Sequence, residues 1–255
     1  MKKTKNFFII ITVLMIVTAF QIGCALDKES SGTQSIAEEQ EAWPYLPNET
    51  FTVRNPENEN LAGLLQEKAA GVMVRIDTGE LRGSGIIWSI DTDNMTIVTA
   101  AHVIEEALKL QITLIDETVL ESSDNLWYWR TVPDCDLGII TVSMKEIPEE
   151  ALNECRYVSV DREAYDSLQP DDIILVMGCR DGVAENAYAG RLLESWIYME
   201  DYAQYMMLAT PYAQPGMSGG GVFNQHGQFI GILSGADEQG NLAILPLNLI
   251  LREVD

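Results

Sequence analysis

The chain has 255 residues, enough for one large domain or two small barrels sharing a core. Its 47% apolar content excludes a wholly disordered chain. With 39 acidic residues against 16 basic ones the net charge is −23, which excludes a surface made to hold phosphate backbones. Nucleic acid is therefore not an expected partner, and the acidity reads as solubility outside the cell.

At the N-terminus, Lys2, Lys3 and Lys5 precede the apolar run "FFIIITVLMIVTAF", residues 7–20. That run is short for a membrane-spanning helix, which needs about 20 residues. It fits the charged and apolar regions of a bacterial export signal. "QIGC" follows, and Gly23–Cys24 resembles the lipobox of bacterial lipoproteins, where the cysteine is acylated and becomes the new N-terminus. Gln21 stands where that pattern usually has leucine, so ordinary cleavage after Ala25 stays open, as does an uncleaved anchor. Residues 1–24 are read as an export signal ending in a lipidation site at Cys24. The expected location is the bacterial cell surface, lipid-anchored, with secretion as the alternative. Removing residues 1–23 takes away three lysines and no acids. The acyl chains, not charge, would then hold so acidic a domain to anionic lipid.

Residues 25–60 are rich in Ser, Glu, Asn and Pro and show no sustained period, the composition of a solvated tether. Trp43, Tyr45 and Phe51 are the side chains that could dock part of it. The folded domain is expected at 61–255. "LAGLLQEKAA" is a short helical pattern, and strand-like runs follow: "GVMVRID", "GSGIIWSID", "MTIVTAAHVI", "LQITLID", "WYWRTV" and "LGIITVSM". "KEIPEEALNE" reads as a polar connector. A second set comprises "DIILVMGC", "AYAGRLLESWIYM", "AQYMMLAT", "GGVFN", "QFIGILSG" and "LAILPLNLI". Many short strands with turn signals between them predict an all-β fold. Two sets with one connector predict two antiparallel barrels, about 68–145 and 157–255, closed by "LPLNLILREV" as a helix or strand-to-helix segment.

Few reactive groups are on offer. Two histidines and no H-E-x-x-H argue against a zinc hydrolase, and no phosphate-binding or dinucleotide glycine motif follows a strand. No metal or cofactor is expected. Without Cys24 three cysteines remain (Cys135, Cys155 and Cys179), so at most one disulfide can form, and the spacing selects no pair. His102 follows two alanines in "TIVTAAHVI", which leave room beside the ring for another strand. His226, in "NQHGQ", reads as a hairpin-turn residue. Asp136, in "DCDLGII", directly abuts an apolar strand and would project from its rigid start. Asp134 competes with it as the carboxylate able to accept the Nδ1–H of an imidazole. Ser218 sits among four glycines in "QPGMSGGGVF". A serine hydroxyl needs an adjacent base to act as a nucleophile, and the glycines free backbone N–H groups to meet an oxyanion.

Together "TAAHV", "DLGII" and "GMSGG", in the order His, Asp, Ser, resemble the trypsin-like serine proteases of the chymotrypsin fold. "GSGIIWSI" before "TIVTAAHVI" further resembles the bacterial high-temperature-requirement branch. The resemblance spans roughly residues 69–254. It implies two six-stranded antiparallel β-barrels with a short C-terminal helix, and a serine endopeptidase acting on protein or peptide substrates through an acyl-enzyme. It implies His102 as general base then acid, Asp136 as its orienter, Ser218 as nucleophile, and the N–H groups of Gly216 and Ser218 as oxyanion hole. "ILSG" resembles the strand that pairs with substrate backbone. The implied substrate pocket comprises Tyr212, Ser234, Gly235 and Ala236. Two departures matter. Met217 replaces the aspartate that, in digestive trypsins, pairs with a newly cut N-terminus. Tyr212 stands where trypsin has an acid, which favours a small or apolar substrate side chain over Lys or Arg. With nine residues after Pro246, no C-terminal peptide-binding PDZ domain is expected. Met217 also leaves open an inactive binding module on the same scaffold.

Overall fold

The computed structural model describes residue 63 and residues 70–180, 184–210, 213–237 and 239–254. The export signal, Cys24, the tether with Trp43, Tyr45 and Phe51, and Tyr212 lie outside the described residues. Among the described residues the first sheet has seven strands. They are β1 (Met73–Asp77), β2 (Arg82–Ile90), β3 (Asn94–Thr99), β4 (Gln111–Thr113), β5 (Val119–Glu121), β6 (Trp127–Thr131) and β7 (Gly138–Ser143). Their order is β5-β4-β1-β2-β3-β7-β6, antiparallel throughout. This sheet curls without closing, and it carries one strand more than the six expected. The extra strand, β5, is three residues long with only its middle residue, Leu120, buried.

The second sheet closes into a six-stranded antiparallel barrel. Its strands are β8 (Ile173–Arg180), β9 (Ala184–Met199), β10 (Gln204–Thr210), β11 (Gly221–Asn224), β12 (Phe229–Ala236) and β13 (Leu242–Pro246). The order β10-β13-β12-β11-β8-β9 is completed by pairing of β9 with β10. The fold is therefore all-β and chymotrypsin-like, as the motifs implied. The expected polar connector is more ordered than its composition suggests. It holds a 3-10 turn, Met144–Glu146, and a helix, Glu149–Glu154, that starts after Pro148 with two acids in its first turn. The C-terminal segment is a strand followed by the helix Leu247–Val254.

Period-2 geometry explains why the strands read as unbroken apolar runs. Neighbouring residues point to opposite faces of a strand. Ile87, Ile97 and Ile140 fill the interior of the first sheet, while Ile86, Val98 and Ile139 pack outward. The outward set meets Leu175, Met177, Phe223, Phe229 and Ile232 of the second barrel. Both faces of the central strands are thus buried, and the seam between the barrels is itself hydrophobic core. Motifs at strand ends along this seam are brought together by it.

Candidate active site

His102 lies in the one-turn helix α1, Ala101–Ile104, directly after β3. Ala100 supplies no side-chain cap to that helix. Asp136 does the capping instead: its Oδ1 accepts the His102 backbone N–H at 3.1 Å. The same carboxylate faces the ring, with Nδ1 at 3.1 Å from both oxygens. Asp136 is held two residues before β7 and is 14% exposed, whereas the His102 side chain is 48% exposed. The rival Asp134 sits exposed at the turn tip with φ +57°, away from the imidazole's hydrogen bonds. Packing pulls the His102 pKa down and is the largest single influence. The Asp136 hydrogen bond and charge, aided by Glu105, together outweigh it and leave the imidazole above its ordinary value. One carboxylate therefore sets both the ring's orientation and its basicity.

Ser218 belongs to the loop between β10 and β11. Three of its neighbours spend their N–H groups internally: Met217 on Gln214 O (3.1 Å), Gly219 on Leu233 O (2.7 Å) and Gly220 on Met217 O (2.9 Å). Among the described residues, the N–H groups of Gly216 and Ser218 have no internal acceptor. Gly216 and Gly219 adopt φ +88° and +82°, a region costly for any residue with a Cβ. At Gly219 a Cβ would also collide with Ser84 O and Thr99 Oγ1. The Ser218 hydroxyl donates to Ser234 O at 3.4 Å and shares no hydrogen bond with His102. Beneath the loop, Met217 is fully buried among Leu168, Ile174, Val176 and Leu233. Its sulfur also accepts the Gln214 N–H at 3.3 Å. Where trypsins anchor this loop by an ion pair, an apolar plug and a sulfur contact anchor it here.

A buried serine ties the two halves together. Ser84 of β2 donates its hydroxyl to Gly216 O and accepts the Cys179 N–H, both at 2.8 Å. Its backbone N–H donates to Ser218 O at 2.8 Å, and its carbonyl accepts the Thr99 hydroxyl at 2.6 Å. Nothing in the Gly-Ser-Gly pattern of this strand singles out Ser84 in the sequence. Small residues on both sides were the available signal for close backbone approach.

Ser234, Gly235 and Ala236 run along the end of β12, where Gly235 and Ala236 pair with β13 on one side only and Ser234 falls at a break in that register. The register against β13 shifts between Leu233 and Gly235. The Ser234 carbonyl is turned to the open side, toward Ser218. Ser234 is 2% exposed, Gly235 half-buried and Ala236 exposed. Tyr202, which no sequence motif marks, sits over Gly235 from the turn Glu200–Tyr202. His226 is at the β11–β12 turn, where its N–H caps back to Asn224 Oδ1 at 3.0 Å, remote from the other site residues in the chain's hydrogen-bond network. Cys135 and Cys155 are free thiols, and the Cys179 thiol donates to Val74 O at 3.9 Å. Burial first, then the neighbouring Asp136 and Glu253 charges, push the Cys135 thiol up to about 11.

Comparison with known proteins places this geometry among relatives. Residues 83–232 match the model of the trypsin-like peptidase domain. A DegP-like periplasmic serine endoprotease of Buchnera aphidicola is 26% identical over 178 residues, 66% of this chain. The chain spans about a third of that relative's length, 34%. Among solved structures, the inactive form of the Rv3671c protease of M. tuberculosis H37Rv superposes with a TM-score of 0.61 at 16% identity, over 82% of this chain and 95% of that one. The HtrA-type protease AlgW with a tripeptide gives 0.62 at 19% identity, over 75% and 61%. These likenesses speak for the fold, and the family model covers more than half of the sequence. The chain belongs to the trypsin-like peptidase domain family.

Proposed function

We propose that the chain is a serine endopeptidase that cleaves peptide bonds through Ser218, His102 and Asp136. The observation that carries this is the pairing of an oriented imidazole with a glycine loop that leaves two N–H groups uncommitted on either side of Met217. In the reaction His102 Nε2 takes the hydroxyl proton as Ser218 Oγ bonds to the scissile carbonyl carbon. The resulting oxyanion is met by the Gly216 and Ser218 N–H groups, each donor of this kind being worth about 3–4 kcal/mol. The imidazolium, stabilised by Asp136, then gives its proton to the departing amine, which leaves an ester on Ser218. Water, deprotonated by His102, hydrolyses the ester and restores the enzyme. For the first step the hydroxyl must leave Ser234 O and turn toward His102.

The pocket beside the ester is assigned to Tyr212, Ser234, Gly235 and Ala236, and is suited to a small or apolar side chain. The likeness to a periplasmic protease and the N-terminal lysine-plus-apolar pattern support an extracytoplasmic location, with acylation of Cys24 as the anchor. Intact mass of the exported protein checks the anchor: an acylated cysteine terminus supports it, and an unmodified Ala25 or Leu26 terminus rejects it.

The Ser218–Ser234 hydrogen bond favours one rival, a protease scaffold that binds without cleaving. A fluorophosphonate probe decides between them. Labelling at Ser218, absent in Ser218→Ala, together with cleavage of an unstructured protein substrate supports the protease. A folded wild type that takes no label and cleaves nothing supports the binding module.

A further inference from the structure

The edge of β12 and the position of Ser218 together fix where each substrate residue would lie. Ser218 Oγ is 3.4 Å from Ser234 O, so the residue whose carbonyl is attacked lies opposite Ser234. A substrate strand running antiparallel to β12 then sets the preceding residue opposite Gly235, and the one before that opposite Ala236. Residues directly opposite in an antiparallel pair send their side chains to the same face, with Cβ atoms about 4.5–5.5 Å apart.

Gly235 has no side chain to offer on that face, and something else stands there. A Cβ built on Gly235 would lie 2.5 Å from the Tyr202 hydroxyl oxygen and 3.7 Å from its Cζ, with no other neighbour within 4 Å. Tyr202 is half-buried and packs against the seam between the barrels, so its ring is not free to swing away. We infer that Tyr202 is a specificity-determining residue: its hydroxyl closes the subsite for the second residue before the scissile bond and admits only small side chains there. Burial first, then Asp136, Asp201 and Asp237, hold the phenol's pKa at about 12. The hydroxyl therefore stays neutral at working pH and presents a donor, while the surrounding acids disfavour Asp or Glu at that substrate position.

This rests on the protease reading, and the test separates the two. Quenched peptides mapped to one cleavage site are compared with Ala or Phe as the second residue before the bond, in wild type, Tyr202→Ala and Tyr202→Phe. The wild type is expected to favour Ala over Phe by about tenfold or more in kcat/KM, the scale on which a filled pocket discriminates. Tyr202→Ala should erase most of that ratio, and Tyr202→Phe, which removes only the hydroxyl nearest Gly235, should lower it part of the way. Should Tyr202→Ala fail to fold, Tyr202→Leu keeps the packing and still shortens the side chain. A ratio unmoved by truncation, with both peptides cleaved, overturns the inference alone. A wild type that neither cleaves nor takes the fluorophosphonate label overturns the protease reading and this inference with it.

Discussion

The two barrels hold their halves of the site differently. The first sheet joins His102 to Asp136 by three contacts of 3.1 Å, one to the backbone and two to the ring. Ser218, on a loop of the second barrel, is held by its backbone, its carbonyl accepting the N–H of Ser84 from β2 of the first sheet, while its hydroxyl rests on Ser234 O. The proposed acid–base half is thus assembled through side chains, and the proposed nucleophile half through main chain. Side-chain contacts can be broken one at a time, whereas a main-chain fixture fails only when the loop itself moves. Substitutions on the two sides should therefore fail in different ways.

The largest effect is expected on the first side. Asp136→Asn keeps a side chain of the same shape but presents an amide to Nδ1, which allows the wrong imidazole tautomer. The expected loss in kcat is about 10^4-fold with the fold and KM little changed, measured on a mapped peptide. A variant within tenfold of wild type would show that the ordered pair contributes little.

That pair was also the most legible part of the chain. His102 and Asp136 each occupy a short stretch whose strand, small residues and turn can be read locally, and Ser218 announces itself by four glycines. Asp136 could be favoured over Asp134 because it abuts β7, a matter of two residues. What could not be read depends on contacts between segments far apart. Ser84 looks like any serine in a strand until Gly216 and Cys179 stand on either side of it. Tyr202 looks like a surface turn residue until Gly235 is folded beneath it. The helix Glu149–Glu154 is a different case. Pro148 followed by Glu149 and Glu150 is a usable helix-start signal, and the polar composition around it masked the pattern. Strand β5 is too short to show any period. Met217, read as the loss of an activation ion pair, proves to be a replacement anchor, and only its burial reveals that.

On the second side, Ser84→Ala should be an effect of stability and loop placement. It strips a partner from Gly216 O and the Cys179 N–H in a fully buried spot, at a cost of about 1–3 kcal/mol. Urea unfolding would show the loss, and the rate of fluorophosphonate labelling should fall with it, because Gly216 carries one of the two proposed oxyanion donors. Stability lost with labelling unchanged would mean that Ser84 does not position the loop, and the contrast between the halves would weaken.

The smallest effect is expected from titration of His102, and it sharpens the first half of the comparison. Its pKa is raised in the folded chain, so the charged ring binds the folded state more favourably than the neutral one. That contribution is fully present below the unfolded histidine value of about 6.5 and fades as pH rises through the higher folded value. Catalysis runs the other way, since only the neutral ring can accept the Ser218 proton. Activity should therefore climb with pH through an inflection above that of a free histidine, while the stability advantage of wild type over His102→Ala shrinks across the same interval. With nearly half of the ring in solvent the stability change should be slight, and Asp136→Asn should move the inflection downward. An inflection at or below the free-histidine value in wild type would mean that burial outweighs Asp136, and that the carboxylate orients the ring without making it more basic.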